Sequence, residues 1–228
     1  MQQFFVKEAL KTGDTVMLAD DILYHLKTVL RKDSEYTFRL CDDNGKTFLA
    51  HLTDQKNCVI TEELEENNEL PTDITCILSL FKNDRYEFCI QKLVELGVKR
   101  IVPYCAYRSV VKAKDDKKQT RLQKIAAEAA CQCHRNRIPE VTQPVQIKEL
   151  KNYLSENNYI AYENYTDSNA INVSGSITYI IGPEGGFDPK EYEQIVSYGF
   201  VPVSLGKRIL RAETAAIYLS SVIVSRCQ

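Results

Sequence analysis

Two short stretches hold the residues best suited to chemistry. "IGPEGGF", Ile181 to Phe187, sets Gly182, Gly185 and Gly186 around Glu184. "SLGKRILRAET", Ser204 to Thr214, sets Lys207, Arg208 and Arg211 around the apolar pair Ile209 and Leu210. Glycines at such positions let a ligand approach the backbone closely. Neither stretch ends in the Gly-Lys-Ser/Thr of a Walker A loop, and neither has the Gly-x-Gly-x-x-Gly spacing of a dinucleotide site, so phosphate binding is not favoured. Each has a plainer reading. Gly and Pro also punctuate tight turns before helices. Glu213 and Thr214 can complement and cap a helix start, and Arg208 and Arg211 can be solvated. The Ile209–Leu210 pair argues for a packed loop whose polar groups face a ligand or a partner chain.

A third feature is a concentration of charge. Between Arg108 and Arg137 the chain carries nine Lys/Arg against three acids, although its net charge is −2. The first 70 residues are the reverse, with 14 acids against 8 bases. The basic segment reads either as a solvated helix face with a lysine-rich loop or as a footprint for RNA phosphates.

The elements that would position these groups fall into two grammars. Residues 1–70 contain short alternating stretches, "DTVMLA", "YTFRLCD", "TFLAHLT" and "NCVITEEL", which read as antiparallel strands of a small β-barrel. "DDNG" supplies a hairpin turn and "DDILYHLKTVLR" one helix. The acidic "EELEENNELPTD", Glu62 to Asp73, reads as a linker. From there strands alternate with helices: "ITCILSLF", "VKRIVPY", "YIAYE", "ITYIIG" and "FVPVSLG" are strand-like. This predicts an α/β domain with a largely parallel sheet. Asp84 with Glu87, and Asp188 with Glu191, have capping-box spacing, while Gly97 and Gly199 read as helix stops. Ligands of such sheets sit beyond the carboxyl ends of the strands, where both glycine- and arginine-bearing stretches fall.

Composition narrows the class. The chain has 228 residues, 44% hydrophobic and 26% charged, which fits a soluble globular protein of one large or two small domains. "MQQFFVKEALK" does not read as a signal peptide, and no run is long enough for a membrane span. The eight scattered cysteines read as buried thiols in a reducing cytoplasm. "CQCH", Cys131 to His134, lacks a second ligand pair, so small helix-packing side chains are favoured over zinc and no metal is expected.

Taken together, "KLVELGVKRIVPY", "RSVVK", "EAACQCHRNRIPEV", "IGPEGGF" and "SLGKRILRAETA" resemble the 16S ribosomal RNA uracil-N3 methyltransferases, members of the SPOUT, or trefoil-knot, class. The likeness spans the chain and is strongest in its last 50 residues. It implies a PUA-like RNA-binding β-barrel over 1–70 and an α/β methyltransferase domain with a C-terminal knot over 71–228. It implies S-adenosyl-L-methionine as cofactor, a homodimer, a cytoplasmic setting without membrane or metal, and a uridine of 16S rRNA in the decoding region of the small subunit as target. Carried residue by residue, it points to Tyr162, Glu163, Ile181, Gly182, Pro183, Glu184, Gly185, Gly186, Leu205, Gly206, Ile209, Leu210, Thr214 and Ala215 for the cofactor. RNA contacts would come from Arg31, Lys112, Arg121, His134, Arg135, Arg137, Lys207 and Arg208. Catalytic candidates are Arg211 and Arg108, as stabilisers of the anion left when uracil N3 loses its proton, and Glu213 as the nearest carboxylate. The likeness departs at "MQQFF", where family members often carry an arginine, and at the cysteines of "EAACQCHR". Two other readings stay open: another member of the knotted class, acting on transfer RNA or a ribose hydroxyl, and a non-catalytic RNA-binding assembly factor.

Overall fold

In the computed structural model, which describes residues 1–34, 36–53, 56–109, 116–167 and 170–227, the chain separates into two units. The first comprises Met1–Glu69 together with Ala130–Arg137, and the second comprises Leu70–Ala129 and Ile138–Gln228.

The first unit is built on a five-stranded sheet. Its strands are β1 (Gln3–Phe5), β2 (Thr15–Met17), β3 (Thr37–Cys41), β4 (Thr47–Leu52) and β5 (Asn57–Leu64), in the order β1-β3-β4-β5-β2. β1 runs parallel to β3, and the other pairs are antiparallel. With β1 and β2 as its edges, the expected barrel is partly open. The β3–β4 turn is the one that "DDNG" foretells. Gly45 takes φ 81°, its N–H donates to the Asp42 carbonyl at 3.0 Å, and Asp42 Oδ1 accepts from the N–H groups of Asn44 and Lys46. Alternation buries Phe38, Leu40, Phe48, Leu52 and Ile60 with Phe4 and Leu26 in one core. The predicted helix is α1 (Asp20–Tyr24), which loosens into a π-helical turn over His25–Val29.

The expected linker is more ordered than its composition suggests. β5 already takes Glu62–Leu64, and the carboxylates that follow are bonded within the unit: Glu66 to Arg39 and Glu69 to Arg135. Arg39 also donates to the Gln3 side chain at 3.1 Å, and Gln3 Nε2 donates to the Arg135 carbonyl at 2.7 Å. Asn136 closes the network: its Nδ2 donates to Gly45 O, Thr47 Oγ1 and Glu66 O, and its Oδ1 accepts from the N–H of Asn68.

The second unit is an α/β layer structure. Its strands β6 (Ile74–Ser79), β7 (Arg100–Tyr104), β8 (Glu140–Val141), β9 (Asn157–Ala161), β10 (Ile177–Ile181) and β11 (Val201–Val203) form one all-parallel sheet, ordered β11-β9-β10-β6-β7-β8. The α/β fold with a parallel sheet is the one expected. The central strand "ITYII" is buried at every position, which is why it reads as a continuous apolar run. Helices α2 (Asn83–Glu95), α3 (Asp116–Gln132), α4 (Pro189–Ser197) and α5 (Ala212–Cys227) alternate with the strands, with a 3₁₀ turn at Ile147–Tyr153. The end of α3, from Ala130, is counted with the first unit.

Helix punctuation matches the sequence at α4 and at the end of α2, where Gly97 follows the C-cap Leu96 at φ 87°, and fails at the start of α2. Asp188 and Glu191 form the reciprocal capping box, Pro189 opens the helix, and Gly199 follows it at φ 104°. At α2 the N-cap is Lys82, with no side-chain cap. Glu87, expected to close a box with Asp84, instead pairs with Arg121 at 2.9 Å.

Candidate active site

The loops after β9, β10 and β11 leave three neighbouring parallel strands at the same sheet edge. Between them, with the start of α5, lies a cavity of about 570 Å³. Tyr162 and Glu163 line it from the β9 loop, and Ile181, Gly182, Pro183, Glu184, Gly185 and Gly186 from the end of β10. Leu205, Gly206, Ile209 and Leu210 line it from the loop after β11, and Ala215 from α5. Thr214 is the exception among the proposed cofactor residues. It is exposed on α5 and is not part of the lining, because the helix turns Ala212 and Ala215 to the cavity instead.

Backbone geometry makes this lining close. Gly186 adopts φ 67°, and its N–H donates to Pro183 O at 2.9 Å, forming a tight turn. A Cβ there would lie 2.1 Å from Glu163 Oε1. Gly185 is less constrained, since a Cβ would make only an ordinary 3.6 Å contact with Arg108 Cβ. One wall is stiffened from behind by the rings of Tyr162 and Tyr192, stacked at 3.9 Å and 18°. Burial, and then the neighbouring Tyr162, push the Tyr192 phenol pKa up, so it stays neutral.

Ile209 behaves differently from expectation. It is 88% exposed, so it stands at the cavity mouth rather than packing within the loop. Leu210 is half-buried. Lys207, Arg208 and Arg211 are exposed cations on the same lining and make no ion pair among the described residues. Arg211 also anchors the start of α5 by accepting the Ala215 N–H at 2.8 Å on its carbonyl. Arg108 reaches the glycine turn: its Nη1 donates to Gly185 O at 3.3 Å, and its Nη2 lies 3.5 Å from Asp188 Oδ2. The segment bearing Arg108 is pinned by Glu191, a fully buried carboxylate that accepts from Tyr104 OH at 2.5 Å and Tyr107 N–H at 2.9 Å. Burial, then that hydrogen bond, raise the Tyr104 phenol far above its ordinary range.

Glu213 is turned away from the cavity. It is 9% exposed, it is absent from the cavity lining, and Arg85 Nη1 lies 3.5 Å from its Oε1. Arg85 itself lines the cavity and also bonds Glu184. No sequence motif marks it, because its partners lie 99 and more residues away. Its place in the first turn after β6, beside β10 in the sheet, is the one signal that could have found it.

The proposed RNA contacts divide. Lys112 lies outside the described residues. Arg31 is exposed, at φ 53°. Arg121 is engaged by Glu87, and Arg137 is exposed but donates to Asn44 O at 2.9 Å. His134 Nε2 is 2.9 Å from Met1 O. Arg135 is corrected: it is 3% exposed and gripped by both oxygens of Glu69, so its charge is spent inside the first unit. The odd "QQ" of the N-terminus has a structural role too, since Gln3 is wholly buried between Arg39 and the Arg135 carbonyl.

The cysteines add no reactive group to the site. Burial pushes the thiol of Cys76 up to about 12 and those of Cys41 and Cys58 to about 11, which keeps them protonated. Among the described residues no cluster of His, Cys, Asp and Glu could hold a metal ion, and no helix is long and apolar enough to cross a membrane. The cavity is therefore a backbone-lined cradle with carboxylates on one wall and free cations at its rim. It can hold a small amphiphilic molecule with a polar, charged end, and the rim can meet a polyanion.

Comparison with known proteins agrees with this chemistry. Residues 68–224 match the model of an RNA methyltransferase domain. The chain is 36% identical to ribosomal RNA small subunit methyltransferase E of Mesomycoplasma hyopneumoniae, over 96% of this chain and 97% of that one. It is 31% identical to the protein of the same name from Bacillus subtilis, over 98% and 96%. Among solved structures, a ribosomal RNA small subunit methyltransferase E from Neisseria gonorrhoeae, bound to S-adenosyl methionine, superposes with a TM-score of 0.92 at 34% identity, over 99% of this chain and 98% of that chain.

Proposed function

Because the chain belongs to the RNA methyltransferase family, we propose that it transfers the methyl group of S-adenosylmethionine to N3 of a uridine in 16S ribosomal RNA. The observation that carries this reading is the cavity at three adjacent strand ends, glycine-lined within and cationic at its rim.

The residues present fit the cofactor. Ala161, Ile181, Leu205 and Leu210 offer an apolar bed for an adenine ring, and the Gly186 turn brings backbone N–H and C=O groups close. Glu163 and Glu184 are the carboxylates on the lining, which would accept from ribose hydroxyls or an ammonium group and favour a nearby positive charge. Bound there, S-adenosylmethionine supplies a methyl group that is already electrophilic. The chain's task is to align a nitrogen with it and exclude water.

Uracil N3 lies on the Watson–Crick edge and carries a proton, so the base must be unpaired and splayed out. That proton passes to solvent water, and the negative charge left behind spreads onto two carbonyl oxygens. Arg211 and Arg108 are the guanidinium groups assigned to hold it. Glu213, buried and engaged by Arg85, is not assigned the proton. Lys207 and Arg208 guide the RNA backbone at the rim. Residues 1–70 serve as the RNA-binding domain, with Arg31 facing the RNA, and 71–228 as the methyltransferase domain. A homodimer is supported by the outward stripe of α5, where Ile217, Tyr218 and Val222 remain half-buried or exposed on a largely apolar helix. The setting is the cytoplasm, where small subunits assemble.

Single-turnover methylation of small ribosomal subunits tests the reading. Arg211→Ala should slow transfer by roughly 10²–10³, the usual cost of removing one preorganised donor to a developing anion, and Arg211→Lys should recover part of it. Rates within a few-fold of wild type would leave Arg211 a positioning residue and move the role to Arg108.

A further inference from the structure

Arg85, in the first turn of α2, touches two carboxylates far apart in the chain. Glu184 belongs to the glycine turn after β10, and Glu213 to the first turn of α5. Glu184 lines the cavity and Glu213 sits behind it, between the lining residues Ala212 and Ala215, and Arg85 is the side chain that ties both segments to a third element.

Glu213 is the more telling partner. It is nine-tenths buried, and its Oε2 has no hydrogen-bond partner among the described residues. A buried carboxylate short of partners is costly, and it is tolerated when a cation and helix N–H groups stand beside it. Arg85 is the cation that does so. Glu184 shares the same guanidinium, so the three groups carry one surplus negative charge. The Cys89 thiol, one turn further along α2, feels that charge: burial first, and Glu213 among the lesser causes, hold its proton on.

We propose that Arg85 is a positioning residue that sets cofactor affinity by clasping Glu184 and Glu213, and with them two walls of the cavity. The proposal rests on reading that cavity as the cofactor site. Arg85 acts through the two segments it holds, so it should matter alike for cofactor fragments with and without a methionine carboxylate.

Calorimetry with S-adenosylhomocysteine and with methylthioadenosine, which lacks the carboxylate, tests it. Arg85→Ala should weaken both by about ten- to a hundredfold, the range for charge-assisted hydrogen bonds. Arg85→Lys should fall between, because it keeps the charge and loses the fork. Glu213→Gln added to Arg85→Ala should restore much of the loss, since it removes the buried charge left without a partner. In turnover, KM for the cofactor should rise far more than kcat falls. Loss confined to S-adenosylhomocysteine would overturn the clasp and limit Arg85 to the amino-acid end of the ligand, which methylthioadenosine lacks entirely. Unchanged affinity in both Arg85 variants, or no rescue by Glu213→Gln, would also overturn it. If Arg85→Ala does not fold, Arg85→Lys and Arg85→Gln carry the same comparison. Absence of binding by the wild-type protein would instead sink the cofactor reading itself.

Discussion

Gly186 offers the sharpest test of how the cavity is built. Alanine at this position meets two separate obstacles. The backbone stands at φ 67°, where an L side chain costs roughly 1–2 kcal/mol. The new Cβ would also lie 2.1 Å from Glu163 Oε1, far inside contact distance. Glu163 is exposed and flexible, so the fold can yield by swinging its carboxylate away, and stability should fall by about the strain alone, ~1–2 kcal/mol. The carboxylate must then move by roughly an ångström or more, a displacement that is enough to forfeit a charge-assisted hydrogen bond to a ligand. That predicts a loss of about ten- to a hundredfold in affinity for S-adenosylmethionine. Two controls separate the effects. Gly199→Ala suffers the same kind of strain at φ 104° with nothing within 4 Å, so it should lose stability and keep its affinity. Glu163→Ala should lose affinity without strain, and Gly186→Ala should add little to it in the double variant. Denaturant titration and calorimetry on the four proteins suffice. If Gly186→Ala binds within about threefold of wild type while losing the expected stability, Glu163 is not a cofactor ligand and the reasoning fails.

Two further outcomes follow from how the cations are disposed. Arg135→Ala breaks a buried, two-oxygen pair with Glu69, so urea unfolding should show a loss of about 3–5 kcal/mol, while the salt dependence of RNA binding by the folded fraction stays as in wild type. Lys207→Ala with Arg208→Ala removes two exposed rim cations, so filter binding should show weaker RNA affinity and a salt slope smaller by about 0.7 per lost contact, with cofactor affinity unchanged within error.

What could be read in advance was what local chemistry controls. Asp188, Pro189, Glu191 and Gly199 mark α4 because capping and termination are decided within one turn. The apolar "ITYII" declares a central parallel strand because both its faces are covered. The cavity loops were legible for a related reason: strand ends in a parallel sheet converge, and their glycines lie close in sequence. Long-range pairing was not legible. In sequence Arg135 is one more cation in a basic run, and Glu69, 66 residues away, makes it structural. Glu87 has the spacing of a capping box, but Arg121 claims it. Glu213 looked catalytic because it follows Arg211, whereas a helix turns successive side chains in different directions and this one is turned into α2. Ile209 was read as packed because apolar residues usually are, yet a mouth position leaves it 88% exposed.

The most direct test of the account is the chemical identity of the product. Small ribosomal subunits lacking the modification would be incubated with the protein and methyl-labelled S-adenosylmethionine, and the 16S rRNA digested to nucleosides for mass spectrometry. The expected product is a single labelled nucleoside that co-elutes with N3-methyluridine and is absent when S-adenosylmethionine is omitted. Label on a ribose hydroxyl or another base, or label in transfer RNA and none in 16S rRNA, would contradict it.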